Sequence, residues 1–345
     1  MRARDLSATV NSDIAVDLRC VSKTFRQRQR SDKLGDVFRN LFRPVIREVS
    51  ALRDIDLRIP RGEIVAYAGP NGAGKSTTVK LASGMLTPDS GTVRVLGMDP
   101  VRTRERYMKR IGVVFGQRTE LWMDHTVAAS YAWKRVVWDI SDERFERMNG
   151  FVRELLGLGE FYNTMVRELS LGQRMRADLG MALLHEPEIL FLDEPSLGLD
   201  VLAKRSMLQF ITDLNREQGV TVMVTSHDMN ELEQLAGRIV MIHRGEIAFD
   251  GDFARLRGES ADRRVLRLDT DSELAPQLPG ATLVNSQGCR HEFAFDAADA
   301  GIGDLLAAAA LQTRLIDVET HRAAIDDIIA DIYVRWQKAH AAKAE

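Results

Sequence analysis

The chain has 345 residues, 45% of them hydrophobic and 28% charged, with a formal net charge of −3. That length is enough for about two domains of ordinary globular composition, and the near-balanced charge argues against a dedicated nucleic-acid binder, which would be basic. Two cysteines, Cys20 and Cys289, form neither a metal-ligand spacing nor a disulfide framework and fit a reducing compartment.

From the N-terminus, Ile14, Val16, Leu18 and Cys20 alternate, as do Ile55, Leu57 and Ile59, predicting two half-buried strands. Between them residues 26–50 form an insertion. Within it Leu34, Val37, Phe38, Leu41, Phe42, Val45 and Ile46 fall at helical i, i+3, i+4 spacing. Arg39, Arg43 and Arg47 lie off that stripe, and Pro44 would bend the helix near its end. Such a helix either packs on its own domain or lies against an anionic membrane surface or a membrane-protein partner.

Ile64 to Ala68 reads as a buried strand and Thr77 to Ser83 as the opening of a helix. Between them, Gly69-Pro70-Asn71-Gly72-Ala73-Gly74-Lys75-Ser76 fits GxxxxGK[ST], the phosphate-binding loop. Glycines let the backbone wrap close to a phosphate, so that successive N–H groups and the helix N-terminus point at its oxygens. Gly69, Asn71, Gly72, Gly74, Lys75, Ser76 and Thr77 are therefore phosphate-binding candidates. Lys75 would reach the β- and γ-phosphates, and the Ser76 hydroxyl would hold Mg²⁺. The pattern identifies a nucleoside triphosphate binder, without its task.

Further along, Val113-Val114-Phe115-Gly116-Gln117 is a strand-like run ending in glutamine. Residues 118–168 then carry helical runs that include Trp122, Trp133 and Trp138. Leu169-Ser170-Leu171-Gly172-Gln173 precedes an apolar run, Ile189-Leu190-Phe191-Leu192, of the kind a strand buried on both faces shows. The run ends in Asp193-Glu194-Pro195, and carboxylates at the end of a central parallel strand face the ligand crevice. Asp193 would assist Mg²⁺, and Glu194 would act as general base toward water. Ser196-Leu197-Gly198-Leu199-Asp200 follows, and Val222 to Thr225 is another buried strand, ending at Ser226-His227-Asp228.

After Gly251 the pattern changes. Arg257 to Asp262 reads as a linker. Val265–Leu268, Ala281–Val284, Glu292–Phe295 and Arg314–Val318 are strand candidates, and Gly303–Gln312 and Ile325–Trp336 helix candidates. Residues 262–345 would thus form a small α+β domain, in which His291 and His321 are too isolated to suggest a metal site. No apolar run reaches about 18 residues and the N-terminus lacks an apolar signal segment, so the chain is expected neither to span a membrane nor to be secreted.

Together these motifs resemble the ATP-binding subunits of ABC transporters, over about Ile14 to Gly251. The resemblance implies an α/β ATPase of the phosphate-loop class over residues 1–255, with an antiparallel β subdomain, and a helical subdomain at 118–168 that meets a membrane permease. It implies that ATP and Mg²⁺ are bound between two subunits, either a homodimer or a pair with a second ATPase chain. Ser170, Gly172 and Gln173 would then belong to the signature motif that caps the γ-phosphate in trans, and Asp200 to the loop coupling the two sites. Gln117, with Ser76 and Asp193, would hold Mg²⁺, and Gln117 and His227 would join Glu194 in catalysis. Phe25 stands where the family carries an adenine-stacking tyrosine; it keeps the stacking face, or is a strand-end core residue.

One more departure is Leu171, in place of the first glycine of LSGGQ. Together with the run from Gln117 to Trp122 it resembles the branch serving exporters of drugs or lipids with separately encoded permeases. That implies a peripheral location on the cytoplasmic face of the membrane. An importer ATPase would carry the same motifs with a larger β-rich C-terminal domain. A soluble ABC protein of ribosomes or DNA would carry two ATP modules or a coiled-coil arm, and a switch without hydrolysis would lack Glu194 or His227.

Overall fold

The computed structural model describes residues 13–28, 46–116, 118–258, 263–322 and 325–341. The chain divides into two compact units, Met1–Asp250 and Gly251–Glu345.

The first unit opens with β1 (Ile14–Arg28) and β2 (Ile46–Pro60), then β3 (Ile64–Ala68), α1 (Lys75–Ala82), β4 (Ser90–Val95) and α2 (Arg104–Met108). β5 (Ile111–Phe115) is followed by α3 (Val127–Val137), α4 (Asp142–Leu155) and α5 (Leu171–Leu183). Then come β6 (Ile189–Asp193), α6 (Val201–Gln218), β7 (Thr221–Ser226), α7 (Met229–Leu235), β8 (Arg238–His243) and β9 (Glu246–Asp252). β1, β2 and β4 make an antiparallel sheet in the order β2-β1-β4. The other strands make a sheet in the order β5-β6-β7-β3-β8-β9, parallel from β5 through β8. β3, β6 and β7 carry continuous apolar runs because both faces of this parallel sheet are covered, one of them by the antiparallel sheet. Tyr67, Phe191, Met223 and Val240 from its strands share one core with Leu18, Ile55 and Ile59 of the antiparallel sheet.

Three expectations are corrected. The alternation of β1 does not continue to Cys20, which is exposed at φ 48°; the register shifts between Leu18 and Val21, and Val21 takes the buried place. Pairing of β1 with β2 runs out to Arg28 opposite Ile46, so both ends of the 26–50 segment extend the sheet. Ile46 and Arg47 are thus strand residues, not the end of the expected helix. The rest of that stripe, with Arg39, Arg43 and Pro44, lies outside the described residues. Finally, Arg257 and Gly258 close a helix, α8 (Phe253–Gly258), where a linker was expected.

The second unit continues with β10 (Arg263–Thr270), β11 (Ala281–Gln287), β12 (Arg290–Asp296), α9 (Ile302–Ala310), β13 (Leu315–Arg322) and α10 (Ile325–Ala341). Its antiparallel sheet has the order β11-β12-β10-β13. Leu266, Leu268, Phe293 and Phe295 point from alternate positions into a core shared with Leu305 and Ala309 of α9. His291 is buried in this unit, with Nδ1 on the Ser286 hydroxyl and Nε2 on the Ser272 carbonyl. Among the described residues no helix is long and apolar enough to cross a membrane.

Candidate functional site

The sheet order places four strand ends side by side: Phe115 of β5, Asp193 of β6, Ser226 of β7 and Ala68 of β3. The loop from Gly69 to Gly74 leaves the last of these and turns into α1, whose N-cap is Gly74. An open cavity of about 640 Å³ lies over these ends, lined by Asn71, Ser76, Arg118, Asp193, Glu194 and His227 among others.

Asp193 is buried and its Oδ1 accepts from two hydroxyls, Ser76 at 3.1 Å and Thr225 at 2.7 Å. One carboxylate thus joins the ends of β6 and β7 to the first turn of α1. Hydroxyl and carboxylate oxygens at this spacing are the hard donors that Mg²⁺ takes. Gln117, the third expected ligand, lies outside the described residues.

The neighbouring Glu194 has φ 51°, a left-handed conformation that is uncommon for a non-glycine residue and clusters at functional sites. Its N–H is held by the Thr225 carbonyl at 3.1 Å and hydroxyl at 3.0 Å. Opposite, Gly116 N donates to the Asp193 carbonyl at 2.9 Å. An added Cβ on Gly116 would stand 2.1 Å from the Glu194 carbonyl oxygen, so only glycine fits there. The Glu194 side chain faces two basic groups, with Oε1 3.7 Å from Lys75 Nζ and 4.0 Å from His227 Nδ1. Lys75 is buried and also donates to the Gly69 carbonyl at 2.7 Å.

The remaining candidates do not line this cavity. Ser170 is the N-cap of α5, where it and Gln173 form a reciprocal capping box: Gln173 N donates to Ser170 Oγ at 3.2 Å, and Ser170 N to Gln173 Oε1 at 2.9 Å. The Ser170 hydroxyl proton is left available to an acceptor outside the helix. Asp200 caps α6 by accepting from Ala203 N at 2.8 Å. The two segments touch, since a Cβ on Gly198 (φ 76°) would lie 2.6 Å from Leu171 Cδ2. The leucine that replaces a glycine therefore packs against the loop before Asp200. Phe25, partly buried near the end of β1, has Lys23 Nζ 5.8 Å from its ring centroid.

Several groups here escaped the sequence reading. Lys80 and Arg118 bring cations to the cavity wall. Thr225 orients both carboxylate residues, and its only signal was its place before Ser226 and His227. Asp178 on α5 accepts from the Thr119 hydroxyl at 2.7 Å and Glu120 N at 3.1 Å, tying the segment after Gln117 to α5. Burial pushes the Asp178 carboxyl up to about 6, against those two donors.

Known proteins resemble this chain in sequence and fold. The ABC transporter family matches residues 52–197. The chain is 33% identical over 203 residues to the ABC transporter ATP-binding protein NatA of Bacillus subtilis, covering 59% of this chain and 82% of NatA. It is 36% identical over 219 residues to the probable multidrug ABC transporter ATP-binding protein YbhF of Escherichia coli, covering 62% of this chain but 37% of YbhF. The methionine import ATP-binding protein MetN of Bifidobacterium longum is 35% identical over 213 residues, 59% of this chain and 51% of MetN. Among solved structures, the dimeric post-hydrolysis ATP-binding cassette MJ0796 bound to ADP and Pi aligns with TM-score 0.57 at 26% identity, over 69% of this chain and 98% of its own.

Proposed function

This chain belongs to the ATP-binding proteins of ABC transporters and is an ATPase, and on that premise we propose that two copies close around two ATP molecules to drive a separate membrane permease. The observation that carries the proposal is the meeting of Lys75, Glu194 and His227 around one carboxylate oxygen at the ends of β3, β6 and β7.

Phosphate oxygens would be held by the N–H groups of Gly69, Asn71, Gly72, Gly74 and Thr77 together with Lys75. Ser76, Asp193 and Gln117 would hold Mg²⁺, which when bound neutralises phosphate charge. As Lys75 Nζ turns to the phosphates, Glu194 loses that neighbour and is free to take a proton from water, with His227 beside it as the γ-phosphate contact. Ser170 and Gly172 are not among the residues lining this cavity, and a second copy would bring its own Ser170 and Gly172 over the γ-phosphate, with Gln173 capping the helix behind and Asp200 at the seam. Phe25 would stack on adenine. The chain would sit peripherally at the cytoplasmic face of the membrane, through its permease. The Trp122 and Trp133 rings, 4.8 Å apart and 42% and 47% exposed, are suited to a permease contact beside Val136.

Glu194→Gln tests the chemistry. It should bind ATP, accumulate as an ATP-bound dimer and lose turnover, since loss of a general base costs about 10²–10⁴-fold. Steady-state ATPase above roughly a tenth of wild type refutes the role.

For direction we propose export of a drug or lipid-like substrate, supported by the basic segment after β1, the small α+β second unit and the likeness to YbhF, a probable multidrug ABC transporter protein. MetN favours the second reading, import. Purifying the full chain from its native membranes with its permease decides: an extracytoplasmic substrate-binding protein in the complex overturns export.

A further inference from the structure

Behind the phosphate-facing atoms, one carboxylate joins three segments of the site. Glu231 lies on α7, just after His227, with only 9% of its side chain exposed. Its Oε2 accepts from the Ser196 hydroxyl at 2.5 Å and the Ser226 hydroxyl at 3.4 Å. Its Oε1 lies 2.6 Å from Lys204 Nζ, which also reaches Asp228 Oδ2 at 3.5 Å. Ser196 stands just after Glu194 and Pro195, and Ser226 just before His227. Lys204 is in the first turn of α6, its N–H on the Asp200 carbonyl.

Packing alone does not call for this cluster, because a buried ion pair can be replaced by apolar side chains with no loss of stability. The backbone of Glu194 does call for it. A left-handed residue is strained, and a residue before proline is restricted further toward extended conformations. Such a conformation persists only where its surroundings over-determine it. Thr225 anchors Glu194 on the N–H side, and the Ser196 bond to Glu231 anchors the turn on the other.

We propose that Glu231 is a positioning residue for ATP hydrolysis: it holds the turn after Glu194, the strand end before His227 and the helix after Asp200 in one register. The base and the histidine then face the same water. The inference rests on the roles proposed above for Glu194 and His227.

Glu231→Ala and Glu231→Gln in the full chain test it, beside Glu194→Gln as reference. Small misplacements of catalytic groups cost up to about 10²-fold. Glu231→Ala should therefore lower kcat by about ten- to a hundredfold while KM for ATP stays within about threefold. Glu231→Gln keeps an acceptor for Ser196 and should recover most of that turnover. Wild-type kcat in the alanine variant, or a rise in KM that matches the loss, overturns the proposal. Should Glu231→Ala fail to fold, Ser196→Ala combined with Ser226→Ala must show the same kcat loss, and wild-type turnover there overturns it equally. An active Glu194→Gln would instead refute the underlying mechanism, whereas an inactive Glu194→Gln beside fully active Glu231 variants refutes only the positioning role.

Discussion

Asp178 makes the stability of this protein depend on pH in a direction opposite to that of most carboxylates. Its carboxyl is pushed from 3.8 up to about 6, by burial first and by the neighbouring Glu120 charge in addition, while the Thr119 hydroxyl and Glu120 N–H hold it back. A carboxyl whose folded pKa is raised contributes stability that is complete below the unfolded value and is lost as pH rises through the folded one. One pKa unit corresponds to about 1.4 kcal/mol, so the whole shift is worth about 3 kcal/mol, of which wild type should lose about 2 kcal/mol between pH 4 and pH 7. Asp178→Asn keeps an oxygen for both donors and cannot ionise. Whatever its amide nitrogen costs is the same at every pH, so the difference between the two proteins isolates the titration. His185, whose pKa burial lowers to about 4, is present in both and cancels. The assay is urea unfolding of both proteins at pH 4.5, 6 and 8, followed by tryptophan fluorescence, since Trp122, Trp133 and Trp138 all lie in the first unit. The asparagine variant should gain on wild type by about 2 kcal/mol across that range. A difference constant to within about 0.5 kcal/mol would mean that Asp178 is solvated enough to ionise freely and would refute the burial effect.

Other outcomes follow from the site. Mixing Lys75→Ala with Ser170→Arg subunits should restore one working site per heterodimer while each variant alone stays inactive; heterodimers that form yet hydrolyse nothing would refute the shared site. Phe191→Ala, on a fully buried residue at the middle of β6, should cost about 3–5 kcal/mol in urea unfolding, and less than about 1 kcal/mol would contradict the packing of β6. If the apolar stripe of residues 34–46 docks on the membrane or permease, Phe38→Asp with Phe42→Asp should spare basal ATPase and lower its stimulation by the permease, because charge would enter an apolar contact. A lower melting temperature of the isolated protein, with stimulation unchanged, would show that the stripe packs on its own domain.

The residues alone were enough to name the loop from Gly69 to Ser76, the both-face-buried strands before Asp193 and His227, and the family. Those signals are local: a period, an apolar run or a turn is written within a few neighbouring residues. The same reading stopped at β1, where a register shift turned Cys20 outward and Val21 inward, because a bulge changes which face a residue takes without changing the alternation on either side of it. It also carried a helical stripe to Ile46, where pairing with Arg28 made a strand instead. Sheet order alone decided that the ends of β5, β6, β7 and β3 stand together, and hence that Thr225 holds Asp193 and that Gly116 presses on Glu194. Glu231 and Asp178 were illegible for the same physical reason. A buried carboxylate on a helix is defined by the donors that reach it, and Ser196, Lys204, Thr119 and Glu120 come from segments that only the folded chain brings within hydrogen-bond distance.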